Sequence, residues 1–314
     1  VKWEAAVQSN IGIDFGFFNQ KIYGSLDVFD KKISDMLITP AYIAVIGEGG
    51  NRTVNGASLD NKGVEFLLGY KGKFGPGINF DFTGNIATYR NRVTSLPAEV
   101  VNTYGGNGTT ENILGHSWGS GYGYVADGIF KDKGDVMNSA EQNGKGLGRI
   151  RYKDLNGDGV IDSRDQTWIF NPTPDFTYGL NLNFSYKGFD LTIFFQGIGN
   201  QQINVGDIKS QTDFWSVAET GSNKGVRALQ AWSVTNTNSD IPALTTTDRN
   251  NESRFSTYYI ENGAYMKLRN LQIGYTLPQH LSRKFFANSV NIYVSGQNLF
   301  TVKSKNFSSI DPEI

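Results

Sequence analysis

The sequence predicts an all-β fold, an antiparallel transmembrane β-barrel wall with long loops on one side. Three observations carry this. Bulky apolar residues alternate with small uncharged polar ones over several segments. The connections between those segments alternate between short and long. No apolar run approaches the roughly 18 residues of a helical span. A soluble sandwich turns its apolar face into a core and a charged face to water. A membrane barrel turns apolar residues to lipid and small polar residues to a lumen. The scarcity of Lys and Glu opposite the apolar positions favours the barrel.

The elements follow in chain order. In Ser9 to Phe17, Ile11, Ile13, Phe15 and Phe17 share one face against Asn10, Gly12, Asp14 and Gly16. A link at Asn19-Gln20 leads into Ile22 to Asp30, where Leu26 and Val28 oppose Ser25 and Asp27. Gly63 to Tyr70 is the third strand, followed by a tight Gly/Pro-rich stretch, Lys71 to Gly77. The fourth sets Phe80, Phe82 and Ile86 against Asn79, Asp81 and Asn85. Asp175 to Gln196 reads as one hairpin: Leu180, Leu182 and Phe184 against Asn181 and Asn183, then Lys187-Gly188, then Leu191 and Ile193 against Thr192. Leu271, Ile273 and Tyr275 oppose Asn270, Gln272 and Gly274. After Leu277-Pro278, Val290, Ile292 and Val294 oppose Asn291 and Ser295. That makes about eight spanning strands, each near the ~9–11 residues a tilted strand needs. The apolar members are expected to face lipid and the polar members the lumen.

The links after Phe17, Tyr70, Tyr186 and Leu277 are short or moderate, whereas Asp35 to Asn61, Asn91 to Pro174 and Asn200 to Ser256 are long. Short periplasmic turns and long extracellular loops are the asymmetry of bacterial outer-membrane barrels. Phe17, Phe18, Tyr70, Phe74, Tyr186, Phe189 and Tyr275 gather at the short-turn ends, as an interfacial girdle requires. Gly at 37, Phe at 21 and Tyr at 15 suit barrel walls. With 29 Lys plus Arg against 30 Asp plus Glu, bulk charge points to no nucleic acid. The lack of cysteine excludes disulfides and thiolate metal sites. The opening VKWEAAVQSN has no basic n-region and apolar h-region, so an exported chain is expected to be processed or part of a longer one.

One loop carries specific chemistry. Asp154 to Asp165 matches the twelve-residue calcium-loop spacing, with side-chain oxygens at Asp154, Asn156, Asp158, Asp162 and Asp165 and glycine at the sixth position, Gly159. Alternate residues of a tightly curled loop aim inward, and a hard cation wants about six to eight oxygens. Val160 offers its carbonyl and Ile161 anchors the loop. Asp165 stands where Glu is usual, with a shorter reach. The flanks are not helical, so the expected role for Ca2+ is structural rather than sensory.

Other candidates are weak. His116 and His280 are far apart, and no Cys or nucleophile-elbow setting supports a catalytic triad, so no enzyme is expected. Nothing singles out a carboxylate pair for glycoside hydrolysis. Trp118, Tyr122, Trp168, Trp215 and Trp232 fall in the long loops. They suit stacking on sugar rings, and still better packing within the loops.

Several stretches in order resemble the SusC/RagA family of TonB-linked outer-membrane transporters: GYGYVADGIF (Gly121 to Phe130), RYKDLNGDGVID (Arg151 to Asp162), NPTPDFTYGLNLNFSYKGFDLTIFFQG (Asn171 to Gly197), LRNLQIGYTLP (Leu268 to Pro278) and VNIYVSGQNLFT (Val290 to Thr301). The opening and Asn61 to Phe66 fit as well. The resemblance implies that residues 1–314 are the C-terminal part of a 22-stranded-type barrel, and the loop spacing adds an extracellular calcium-loop insertion around 91–174. It places the plug domain, the TonB-contacting segment and a final strand outside this sequence. It implies a bacterial outer-membrane location, a SusD-like surface lipoprotein as lid, TonB as energy source, and glycan, oligosaccharide or peptide cargo. Two other readings stay open on the residues alone. One is a freestanding small outer-membrane barrel or porin; the other is a secreted calcium-stabilised β-sandwich that binds carbohydrate.

Overall fold

The computed structural model describes residues 2–38, 53–97, 101, 104–107, 110–206, 209, 225–245, 248, 250–309 and 311–313. Its strands are β1 (Ala5–Phe17), β2 (Ile22–Ile38), β3 (Val54–Phe74), β4 (Ile78–Ser95), β5 (Gly121–Tyr124), β6 (Ala126–Ile129), β7 (Ile150–Tyr152), β8 (Gln166–Phe170), β9 (Phe176–Tyr186), β10 (Phe189–Gly199), β11 (Gln202–Asn204), β12 (Ile260–Asn262), β13 (Tyr265–Thr276) and β14 (Asn291–Lys303). Eight of them form one antiparallel sheet in the order β1-β2-β3-β4-β9-β10-β13-β14. Each of these eight pairs with the next of the series in the chain, the up-and-down topology of a barrel wall. The remaining strands make three two-stranded sheets. No helix among the described residues is long and apolar enough to cross a membrane.

Register fixes the faces. Ile13 pairs with Leu26, Leu26 with Phe66, Phe66 with Ile86 and Ile86 with Tyr178. Phe82 pairs with Leu182, Leu182 with Ile193, Ile193 with Leu271. Ile273 pairs with Val294 on β14. Cross-strand partners share a face, so one apolar face extends across all eight strands. Much of it is exposed, as at Ile11 (78%), Phe66 (37%), Leu180 (39%) and Val294 (76%), with no second layer over it among the described residues. In water such an area would be an aggregation site; against hydrocarbon it is the expected wall. On β3 the apolar run Val64 to Phe74 covers about 33 Å of strand, hence about 25 Å of height at a tilt near 40°.

The other face is polar and glycine-rich. The Tyr23 hydroxyl lies 2.8 Å from an Asp81 carboxylate oxygen and 2.9 Å from the Thr83 hydroxyl, and Thr192 donates to Asn183 at 3.0 Å. Glycines there make room for rings: a Cβ on Gly69 would lie 2.1 Å from the Tyr23 ring, and one on Gly63 2.5 Å from Phe29. The hairpin at Lys187-Gly188 has positive φ at both residues, 49° and 90°. That is the two-residue turn whose twist matches the flanking strands.

The strands correct two expectations. They run from 11 residues in β9 and β10 to 21 in β3, not 9–11 throughout. Asp35 to Ile38 and Val54 to Asn61, expected as loop, continue β2 and β3: Leu37 pairs with Asn55 and Ile38 with Val54, and Leu59 to Asn61 pair with Ile33 to Lys31. Likewise the turn after β3 is only Gly75-Pro76-Gly77, because Lys71 to Phe74 stay paired with β4. The alternation of hydropathy stops before the backbone pairing does.

Candidate functional site

The described parts of the two longest connections are not open loops. Residues 110–174, 225–245 and 250–259 pack on the long-loop end around a core of Ile129, Ile150, Tyr152, Ile161, Trp232 and Tyr259. A second contact region joins this layer to the strand tops, where Leu59, Val93 and Ile113 meet Tyr104, Trp118 and Trp168. The loop indoles Trp118, Trp168 and Trp232 are thus packing groups, and Trp215 lies outside the described residues. Trp168 stacks on His116 at 3.9 Å, meets Tyr122 edge-on at 5.3 Å and donates to Glu111 at 3.1 Å. His280 sits in the short helix Gln279–Ser282 on the opposite, short-turn side.

A buried polar network, which no motif announced, ties the two parts of the layer together. Glu252 is fully buried and accepts from Arg149 at 2.7 Å and from the Ile150 N–H at 2.7 Å. Gln142 donates to the Ile150 carbonyl at 2.8 Å and to Asn250 at 2.9 Å, and accepts from the Tyr152 N–H at 3.1 Å. Burial pushes the Glu252 carboxyl up, against the pull of the Arg149 guanidinium and the Ile150 N–H. Arg254 lies over the rings of Tyr124 and Tyr152, 4.8 and 4.5 Å from their centroids. The partners are about a hundred residues apart, so local pattern could not reveal them.

The loop Asp154 to Asp165 hangs from this core by Ile161, which is buried, and by the Glu141 backbone, which bonds Gly159 and Ile161 at 2.7 and 2.8 Å. Asp154 accepts from the N–H groups of Gly157 and Gly159 at 2.7 and 2.8 Å. Hydrogen bonds from Gly159 and Gly157 hold its carboxyl below the usual range. Asn156 and Asp158 each cap the N–H two residues on, at 2.8 and 3.0 Å. Asp165 is buried and accepts from Leu155 and Asp162. The Val160 side chain points out and its flank bridges to Glu141. Arg164 reaches over the loop to Asp158 at 2.7 Å and Asp162 at 2.6 Å, and its hydrogen bonds lower the Asp162 carboxyl. Among the described residues no three His, Cys, Asp or Glu groups converge in metal-holding geometry. The oxygens are therefore aligned along one curl of backbone, with a guanidinium beside two of them where the spacing suggested a cation.

No family model matches the chain. Single proteins do. It is 31% identical over its whole length to TonB-dependent receptor P3 of Formosa agariphila, covering 31% of that receptor. It is 26% identical to the TonB-dependent receptor SusC of Bacteroides thetaiotaomicron, again over 100% of this chain and 30% of the receptor. The chain resembles SusC-type TonB-dependent receptors from end to end. It spans about a third of the length of these curated relatives. The solved RagAB peptide transporter superposes with a TM-score of 0.78 at 24% identity, covering all of this chain and 33% of that one. The open-open RagAB peptide importer gives 0.74 at 23%. The fold is accordingly that of a segment of a TonB-dependent transporter barrel, and the SusC-like sheet is its wall.

Proposed function

We propose that this chain is the C-terminal wall of a SusC-like outer-membrane importer, not an enzyme, in which a SusD-like lipoprotein covers the long-loop end and TonB acts through the segments outside this sequence. The cargo class is a glycan, oligosaccharide or peptide. The observation that carries the reading is the apolar face over eight strands, topped on one side by a folded loop layer with its own core. A wall needs the first; a substrate mouth closed by a lid needs the second, because loops beyond ~12–15 residues are functional or disordered. The soluble-sandwich alternative would need a second sheet over the apolar face, and the described residues form a single eight-stranded sheet there.

Within the loop layer, we propose that calcium draws together the oxygens of Asp154, Asn156, Asp158, Asp162 and Asp165 with the Val160 carbonyl, which lie along one curl of backbone. Calcium would convert mutual carboxylate repulsion into a crosslink. The support is the donor set, all oxygen, and the curl imposed by Asp154 on Gly157 and Gly159. Pull-down of the full-length protein from outer membranes in calcium tests the function. Recovery of a surface lipoprotein and loss of growth on glycans or peptides after deletion are expected; no lipoprotein together with unchanged growth would sink the proposal.

A further inference from the structure

The apolar face ends in a charged step. The row Ile11, Val28, Val64, Thr88 closes the band on β1 to β4. The next row on the same face, towards the long loops, is Ser9, Asp30, Lys62, Arg90, and the one beyond is Val7, Lys32, Asp60, Arg92. Four cations stand against two carboxylates within two rungs. On β9 and β10, above the same band, this face carries Phe176 and Gly199 instead.

The arrangement is unfavourable as it stands. Lys62 and Arg90 are direct cross-strand partners, and like charges directly opposite destabilise a sheet. Lys62 is relieved by Asp30 at 3.3 Å. Among the described residues neither Arg90 nor Arg92 has an ion-pair or hydrogen-bond partner, although Asp60 pairs in register with Arg92. Arg90 and Arg92 line a cleft of about 590 Å³ together with Asp60, Lys62, Val93, Thr94 and Gly115. A planar donor fork beside a second cation suits an anion with several oxygens.

We propose that Lys62, Arg90 and Arg92 bind the phosphate of an outer-leaflet membrane lipid headgroup. The position decides the source of the phosphate. The acyl chains of such a lipid would lie on Ile11, Val28 and Val64, one rung below, and its headgroup oxygens would meet the cations at the hydrocarbon boundary. The site is therefore a lipid clamp on the outside of the wall, distinct from any cargo path in the lumen. It rests on the outer-membrane reading proposed above.

The test is native mass spectrometry of full-length protein in detergent, offered lipid A with its phosphates, enzymatically dephosphorylated lipid A, or inorganic phosphate. The phosphorylated lipid should be retained and the dephosphorylated one should not. Arg90→Gln with Arg92→Gln should lower retention by about tenfold per arginine, and Arg90→Lys with Arg92→Lys by less, because the charge stays but the fork is lost. Stability should change sign: Arg90→Gln is neutral or stabilising in zwitterionic vesicles, where it removes the repulsion with Lys62, and destabilising in vesicles containing the phosphorylated lipid. Equal retention by wild type and double glutamine variant, or of both lipid forms, overturns the site. Full displacement by equimolar inorganic phosphate overturns the lipid as its occupant. Partition of the wild type into the aqueous rather than the detergent phase would fail the outer-membrane reading itself.

Discussion

Leu182→Arg in the full-length protein should cost about 2–4 kcal/mol of folding free energy in lipid. Leu182 lies midway along β9, four residues from Tyr178 and from Tyr186, between Phe82 on one side and Ile193 on the other. Four residues are about 13 Å of strand and, at a tilt near 40°, about 10 Å of depth from either ring. An arginine side chain reaches about 7 Å from its Cα, so its guanidinium cannot snorkel fully to either interface. Tyr186→Arg, at the short-turn end, reaches the headgroups directly, and its charge penalty should be about 0–1 kcal/mol. Asn181→Arg points to the opposite face, beside Thr83 and Phe194, and should lack the hydrocarbon penalty. Denaturant titration of refolding into vesicles gives all three free energies. The reasoning is refuted if Leu182→Arg and Asn181→Arg cost the same, or if Leu182→Arg is no worse than Tyr186→Arg.

Three further outcomes are expected. Calcium should bind the Asp154–Asp165 loop with an affinity in the extracellular range, about 0.1–1 mM; Arg164→Gln should tighten it by removing the cation beside Asp158 and Asp162, and Asp158→Asn should weaken it, as read by calorimetry. Absence of any calcium heat in the wild type at millimolar concentrations would remove that site. Glu252→Ala leaves the largely buried Arg149 side chain with the Ala243 carbonyl but no carboxylate, and should destabilise the loop layer by about 3–5 kcal/mol, seen as proteolysis within residues 110–174 while the barrel keeps its heat-modifiable migration. Cleavage no faster than in the wild type would show that the network is not what holds the layer. Partial burial would raise the Glu313 carboxyl, but hydrogen bonds from Lys267, Tyr265 and Arg269 outweigh it and hold it at about 2. A carboxyl depressed in the folded state stabilises above its unfolded value of 4.5 and loses that contribution as pH falls through about 2. Hydrogen exchange at residues 304–313 should accordingly be pH-independent in its protection near neutrality and lose protection between those two values; unchanged protection down to pH 2 would contradict it.

The wall was legible in the residues because a strand's faces follow from a local period of two. Ile78 to Ile86 and Tyr178 to Phe195 sort into lipid and lumen sides without any knowledge of their neighbours, and register then aligns the two sets. The same logic locates the curl at Asp154 to Gly159, where spacing alone puts side-chain oxygens over N–H groups a few residues on. What escaped was whatever depends on pairing after hydropathy stops alternating. Asp35 to Ile38 and Val54 to Asn61 lack a period-two stripe, and only pairing within β2 and β3, with Ile38 and Ala57 buried beside Met36 and Val54, makes them strand. Arg90 and Arg92 continue the outer face two rungs beyond Thr88, a parity the chain does carry, but their meeting with Lys62 is a property of register. Glu252 and Arg149 are further removed still. A buried carboxylate is tolerated only with partners in place, and those arrive from about a hundred residues away, so tertiary structure alone decides that the long loops are a folded layer.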